Sequence, residues 1–410
     1  MSATSSLSEL ANWTPSMEAI YYEQYGDLNV LQFTNKFKSP TIDDKPNKND
    51  EKVLVRIVYT SVNPLDYKIR EGFFKNVFIN KTIFPVIPSV DMSGIVVKSQ
   101  APNFKVGDEV FGINGESGCM AEFSVMNAKS IAHKPREMSH AQASTIPLIG
   151  LTAHQSLSKI GDIKPGQKVL ILGASGNVGS YCVEYAKNVL GAKVYAVCST
   201  REGFNRVKKL DPELTLANFG DGSHNVPDSE EEDDNLPFEY NVPDVDVIID
   251  CMGDDTLRKR TWRLLKAKRG KYIQIGLTQE LTYWKTLTLG TFISWRKFIS
   301  ALHLGPDFYL FSVDTKNQSE NLSMLAQQHI HNKITIPSIV QSFNELNLEN
   351  AKSAFGLAES GKLRGKIVLQ VCKLLPHGDK SRLYLKQNIN PQYRFDVNAK
   401  HLSTLPLDNK

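Results

Sequence analysis

Residues 168–190 constrain the fold more than any other stretch. Lys168-Val-Leu-Ile-Leu172 is a short, almost wholly apolar run, the pattern of a strand buried on both faces of a parallel sheet. Gly173-Ala-Ser-Gly-Asn-Val-Gly179 follows and opens a predicted helix over 178–190. Lys193-Val-Tyr-Ala-Val-Cys198 then reads as a second strand. Strand, glycine turn, helix and strand in that order, within about thirty residues, form a unit that binds a nucleotide pyrophosphate. Gly173 permits the tight turn. Gly176 lets the backbone approach the phosphates, and Gly179 allows close helix–strand packing. Ala174, Ser175, Asn177 and Val178 complete the expected cradle, and the free N–H groups and dipole of the new helix favour an anion. The competing reading is a glycine-tolerant turn with no ligand.

The end of the second strand selects the dinucleotide. A carboxylate there binds the ribose 2′-hydroxyl of NAD and repels a 2′-phosphate. This strand ends in Cys198-Ser199-Thr200-Arg201, with no carboxylate before Glu202. Two hydroxyls and a guanidinium suit a phosphate, so Ser199, Thr200 and Arg201 point to NADPH. The alternative is that Arg201 only solvates a loop.

Further strand patterns at 245–250 and 271–275, with a helix candidate over 152–160, imply βαβ units and a doubly wound sheet. The texture before residue 151 differs. Lys52-Val-Leu-Val-Arg-Ile-Val-Tyr59 alternates polar and apolar, predicting a half-buried strand. Residues 94–98 and 109–112 are further short strands around the turn 106–108. Residues 17–135 therefore read as a β-rich, barrel-type domain. Residues 320–372 return to helix and strand, ending in a strand over 365–371.

With 410 residues, two or three domains are expected. Hydrophobic residues at 41% and charged residues at 22% exclude a disordered chain or a fibre. A net charge of +4 gives no case for a nucleic-acid partner. The five cysteines are scattered and form no CxxC pair, against both a disulfide framework and a four-cysteine zinc site. Cys182, Cys198 and Cys251 read as small buried hydrophobes. No leader-like or membrane-spanning pattern is recognised, giving an expected cytoplasmic setting. Residues 1–16 and the polar tail 374–410 are given no structure. Residues 220–243, with the acidic run Asp228-Ser-Glu-Glu-Glu-Asp-Asp234, read as a solvated loop.

The chain resembles the medium-chain dehydrogenase/reductase superfamily, and within it the zinc-free quinone oxidoreductase (zeta-crystallin-like) branch. The resemblance covers about residues 17–372. It is carried by Ser61-Val-Asn-Pro-Leu-Asp-Tyr-Lys-Ile-Arg-Glu-Gly72, Phe84-Pro-Val-Ile-Pro-Ser-Val-Asp-Met-Ser-Gly94 and Val106-Gly-Asp-Glu-Val-Phe-Gly112. Pro147-Leu-Ile-Gly-Leu-Thr-Ala153, the glycine turn and Gly361-Lys-Leu-Arg-Gly-Lys-Ile-Val-Leu369 follow in family order. The resemblance implies an α/β chain: a GroES-like β-barrel domain over 17–150 and 335–373, and a Rossmann dinucleotide-binding domain over 151–334. Substrate would lie between them.

Catalytic zinc needs Cys, His or carboxylate ligands. By resemblance, Asn63 stands where zinc-dependent relatives carry their first cysteine, and Ser89-Val90-Asp91 where they carry Gly-His-Glu. No metal is expected. Without a Lewis acid, an alcohol is a poor hydride donor, whereas quinones and α,β-unsaturated carbonyls accept hydride readily. The implied activity is a metal-independent transfer of hydride from NADPH to a quinone or enone. Asn63 and Thr152 would line the nicotinamide pocket. Tyr67, with Lys68 second, would serve the substrate oxygen. Cys251, Gly253, Gly276 and Leu277, in turns after later strands, join the cofactor set. Asp91 reads as a stabiliser of the β domain or cleft. The alternative function is a catalytically weak NADPH-binding relative acting as sensor or adaptor. The aromatic-rich stretch 283–311 would allow peripheral membrane contact in that case. The expected assembly is a monomer or homodimer.

Overall fold

The computed structural model describes residues 16–43, 51–75, 82–198, 200–210, 215–218, 242–266, 269–276, 291, 294, 305–361 and 365–372. The predictions for 1–15, Ser199, 220–241, Leu277, most of 283–311 and 374–410 lie outside the described residues.

The chain opens with β1 (Ser16–Tyr21) and β2 (Gln32–Lys38), an antiparallel pair. β3 (Lys52–Val62) leads into the short helix α1 (Pro64–Arg70). β4 (Asp91–Ser99), β5 (Glu109–Ile113), β6 (Phe123–Asn127) and β7 (Ile131–His133) follow. Then come the helices α2 (His140–Ala143) and α3 (Pro147–His154). The helix predicted at 152–160 is thus the end of α3 continued by a π-helical turn over Gln155–Ile160.

The next stretch alternates as expected: β8 (Lys168–Leu172), α4 (Asn177–Glu184), β9 (Lys193–Cys198), α5 (Arg201–Leu210) and β10 (Thr215–Asn218). β11 (Val247–Asp250), α6 (Asp255–Thr261), β12 (Lys271–Gln274) and β13 (Asp307–Leu310) complete it. Finally α7 (Ser319–Ile330), β14 (Ile339–Phe343), α8 (Leu348–Glu359) and β15 (Lys366–Gln370) lead back to the first sheet.

Six strands form one parallel sheet in the order β10-β9-β8-β11-β12-β13. Period-2 geometry explains its two buried faces. Val169 and Ile171 of β8 join one apolar cluster with Val247, Ile249 and Ile273, while Leu170 and Leu172 join another with Ile248 and Tyr272. A strand that feeds two cores needs apolar residues at every position, which is why residues 168–172 read as a continuous run.

The second sheet runs β14-β15-β3-β4-β5-β7, with β6 also paired to β3. β3 was expected to be half-buried. Instead Leu54 and Val58 are as buried as Val53, Val55 and Ile57. The reason is position: β3 is central, bonded to β4 along its length, to β6 at its start and to β15 at its end. The return of β15 places Ile367 opposite Val62, so Lys366 falls level with Asn63 at the mouth of α1.

Candidate active site

The glycine turn lies at the carboxyl end of β8, where open parallel sheets bind ligands. Gly173 adopts φ +75°, in the left-handed region that favours glycine. A Cβ on Gly179 would overlap the Gly173 carbonyl oxygen and come within 2.8 Å of Ala174 Cα. A Cβ on Gly176 would meet nothing nearer than the Gly173 carbonyl oxygen at 3.4 Å. The N-cap of α4 is Gly176, and no side chain caps this end. The first-turn N–H groups, including those of Asn177 and Val178, are thus left for an anion. These features fit a pyrophosphate.

The ends of the neighbouring strands converge on the same turn. Gly173 packs beside Met252 and Cys251, and a Cβ on Gly276 would stand 2.5 Å from the Cys251 carbonyl oxygen. The loop 251–253 is held by Asp250. Its Oδ1 accepts from the N–H groups of Met252 (2.9 Å) and Gly253 (2.8 Å), and its Oδ2 accepts from the Tyr272 hydroxyl (2.9 Å). On the other side Gly203 abuts Ser175, whose Cβ would lie 2.6 Å from a Cβ at position 203. Arg206 of α5 donates to the Ser175 carbonyl. Thr200 and Arg201 are exposed at the start of α5. The structure therefore gathers Gly173–Gly179, Thr200, Cys251, Gly253 and Gly276 along one crevice. It adds Asp250, Met252, Gly203 and Arg206, which the sequence reading missed. The one available signal was a carboxylate ending the apolar strand β11.

Of the five cysteines, all free, Cys182 and Cys198 are buried as expected, whereas Cys251 is only half-buried at the crevice. Thr152 is buried on α3, which packs against α4.

Asn63 lies in a buried polar cluster and is 1% exposed. Its Nδ2 donates to Asp91 Oδ2 (2.9 Å), and its Oδ1 accepts from Lys366 Nζ (2.6 Å). Asp91 Oδ2 also accepts from Ser61 Oγ (3.1 Å) and Lys366 Nζ (3.2 Å), and its Oδ1 from the Leu148 N–H (2.8 Å). Asp66 accepts from the Asn63 N–H at 2.7 Å. Burial, then the nearby charge of Asp91, pushes the Asp66 carboxyl up to about 7. Asn63 is thus engaged through its whole amide within the protein, and Lys366 places a cation beside it. Among the described residues no group of three or more His, Cys, Asp or Glu could hold a metal ion.

The two candidate residues on α1 face different ways. Leu65 packs against the core that includes the nucleotide-domain strands, whereas Tyr67 packs against the β-domain core. Burial raises the Tyr67 phenol, with further increments from Glu71 and Glu359 of α8. Lys68 lies between those two faces, its ammonium 5.4 Å from the Phe73 ring centroid, and burial lowers it. Tyr67 is therefore on the α8 side of the helix, and Lys68 stands nearer the face that Leu65 turns to the nucleotide domain.

Comparison with known proteins agrees with this architecture. Residues 49–136 match the family described as "Alcohol dehydrogenase GroES-like domain", and residues 222–369 match "Zinc-binding dehydrogenase". A quinone oxidoreductase from Coxiella burnetii superposes with a TM-score of 0.65 at 27% identity, covering 87% of this chain and 100% of its own. The chain belongs to the medium-chain dehydrogenase/reductase superfamily. Among curated superfamily relatives, a 2-methylene-furan-3-one reductase from Solanum lycopersicum is 33% identical over 52% of this chain and 55% of its own length. An NADPH-dependent alkenal/one oxidoreductase, chloroplastic, from Arabidopsis thaliana is 31% identical over the same shares. The chain thus spans about half the length of these curated relatives.

Proposed function

We propose that the protein is an NADPH-dependent oxidoreductase that reduces a quinone or an α,β-unsaturated carbonyl without a catalytic metal. The observation that carries this reading is the crevice itself: an uncapped helix start, the Gly173–Gly179 cradle and a cationic adenosine side with no carboxylate at the end of β9. The names of the relatives, an alkenal/one reductase and a furanone reductase, support the acceptor class.

Bound there, NADPH supplies the hydride. Gly176 and the first turn of α4 would hold the pyrophosphate, with Thr200, Arg201 and Arg206 at the 2′-phosphate. The loop 251–253 and Gly276 would wall the ribose. Negative charge gathers on the acceptor oxygen, and an ammonium partner holds an oxyanion by a charge-assisted bond. We assign that role to Lys68 rather than Tyr67, because Tyr67 is turned to the α8 side and its raised phenol is a poor proton donor. For an enone, hydride adds to the β carbon and water supplies the proton that converts the resulting enolate to the saturated carbonyl, whereas a hydroquinone anion is stable enough to need little help.

Among the described residues no helix is long and apolar enough to cross a membrane. β13 forms one edge of the parallel sheet, and we propose this edge as the surface on which two copies would pair if the protein is a homodimer. Turnover of NADPH, with NADH in parallel, over a panel of quinones and enones tests the function. Lys68→Met should suppress enone reduction while leaving NADPH affinity unchanged. Equal loss of both would mean that Lys68 serves the fold rather than the acceptor.

A further inference from the structure

Two consecutive residues near the end of the chain bond to opposite sides of the cleft. The Gly365 carbonyl accepts from Asn177 Nδ2 at 2.8 Å, and Asn177 is the first residue of α4, directly after the glycine turn. Lys366, next in sequence and with a wholly buried side chain, donates to Asn63 and Asp91. Asn63 is the N-cap of α1, the helix that carries Lys68, and Asp91 in turn holds the start of α3 through Leu148. The strand cannot easily slip. Gly365 sits at φ +156°, a Cβ there would overlap Val340 and stand 2.7 Å from the Ser338 carbonyl, and the Lys366 N–H is bonded to that carbonyl at 2.8 Å.

We propose that Lys366 is a positioning residue that couples the nucleotide turn to the acceptor side of the cleft. An anion at the turn fixes the start of α4. Asn177 passes that constraint to Gly365, and the Lys366 ammonium passes it to Asn63, setting the place of α1. Coupling can travel through a contiguous chain of hydrogen-bonded groups, and the two links here, Asn177 to Gly365 and Lys366 to Asn63, are bonds of 2.8 and 2.6 Å. The inference rests on the nucleotide-binding reading.

A buried ion pair alone would give the same bonds without coupling, and removing one charge from it is strongly destabilising. The test therefore pairs Lys366→Met with Asp91→Asn, so that both charges leave together and the fold is kept. The readout is hydrogen exchange of the full chain with and without NADPH. In the wild type, NADPH should slow exchange in residues 173–184 and also in residues 63–70. In the double variant, protection should persist at 173–184 but disappear at 63–70. Enone kcat should fall about tenfold with NADPH affinity within about threefold. Lys366→Arg, which keeps the cation, should restore much of the protection at 63–70. Protection at 63–70 in the double variant, or its absence in the wild type despite protection at 173–184, overturns the coupling. A wild type that binds no NADPH instead overturns the functional reading.

Discussion

Gly176 and Gly179 are three residues apart in the same turn, yet they should fail in opposite ways when each is changed to alanine. At Gly176 the backbone is extended, φ −73° and ψ 170°, a region open to any residue. The nearest atom to a new Cβ is 3.4 Å away. Removing glycine's freedom from the unfolded chain contributes about 0.4–1 kcal/mol of stability, but alanine is a poorer N-cap than glycine by a similar amount, about 0.5–1 kcal/mol, so the fold should be nearly unchanged in stability. The new methyl, however, stands where the pyrophosphate must approach the backbone, so NADPH affinity should drop by about tenfold or more, at least ~1.4 kcal/mol. At Gly179 a Cβ would collide with the Gly173 carbonyl and Ala174 Cα. Both obstacles are backbone and cannot rotate aside, so α4 must move off β8 at a cost of about 1–3 kcal/mol. Thermal melting and NADPH titration on each variant check both limbs. Gly176→Ala should melt close to the wild-type temperature and bind poorly. Gly179→Ala should melt several degrees lower. Wild-type NADPH affinity in Gly176→Ala, or wild-type melting in Gly179→Ala, would refute the roles given to the two glycines.

Arg201→Ala should weaken NADPH by about 1.5 kcal/mol, the low end for a hydrogen bond to a charged group because Arg201 is exposed, and leave NADH nearly unaffected; equal losses would show that it does not read the 2′-phosphate. Asp66→Asn tests the buried carboxyl. Burial pushes its pKa up to about 7 from 3.8 in the free group, so the folded state holds the proton more tightly, and this group's contribution to stability is full below pH ~4 and is lost as pH rises through ~7. The variant should flatten that decline, its stability relative to wild type improving by on the order of 4 kcal/mol between pH 4 and pH 8; parallel pH–melting curves would contradict this. Tyr67→Phe should change enone turnover by less than about threefold, whereas Lys68→Met should lower it by about 10²-fold, the lower bound for loss of a positioned group at the reacting oxygen. The reverse ranking would return the oxygen-binding role to Tyr67.

Much of the nucleotide half was legible because its signals are local. An all-apolar five-residue strand can only be buried on both faces, and three glycines spaced three apart mark one turn. The boundaries of β8 and β9 coincide with those read from the sequence. β3 was misjudged because its central place depends on β15, some three hundred residues away in sequence, which no pattern within 52–59 reports. Lys366 was hidden for the same reason. It was visible only as part of a strand, and its partners Asn63 and Asp91 meet it through the return of the chain to the first sheet. The packing of α1, a helix too short to show a periodic face and covered on one side by α8, was not legible in the sequence, and it is this packing that supports placing Lys68 rather than Tyr67 toward the acceptor. Arg206 carries no motif of its own. It matters because Gly203 lets α5 approach Ser175.

The central claim is hydride transfer from a nicotinamide held in the Gly173–Gly179 crevice. The most direct measurement is single-turnover reduction with NADPH carrying deuterium at the transferable position, one enone and one quinone as acceptors. The account predicts that NADPH is consumed in step with product, that deuterium appears on carbon in the reduced enone, and that NADH reacts more slowly. A purified protein that binds NADPH tightly yet oxidises it with neither acceptor would contradict the account and leave nucleotide binding as its only activity.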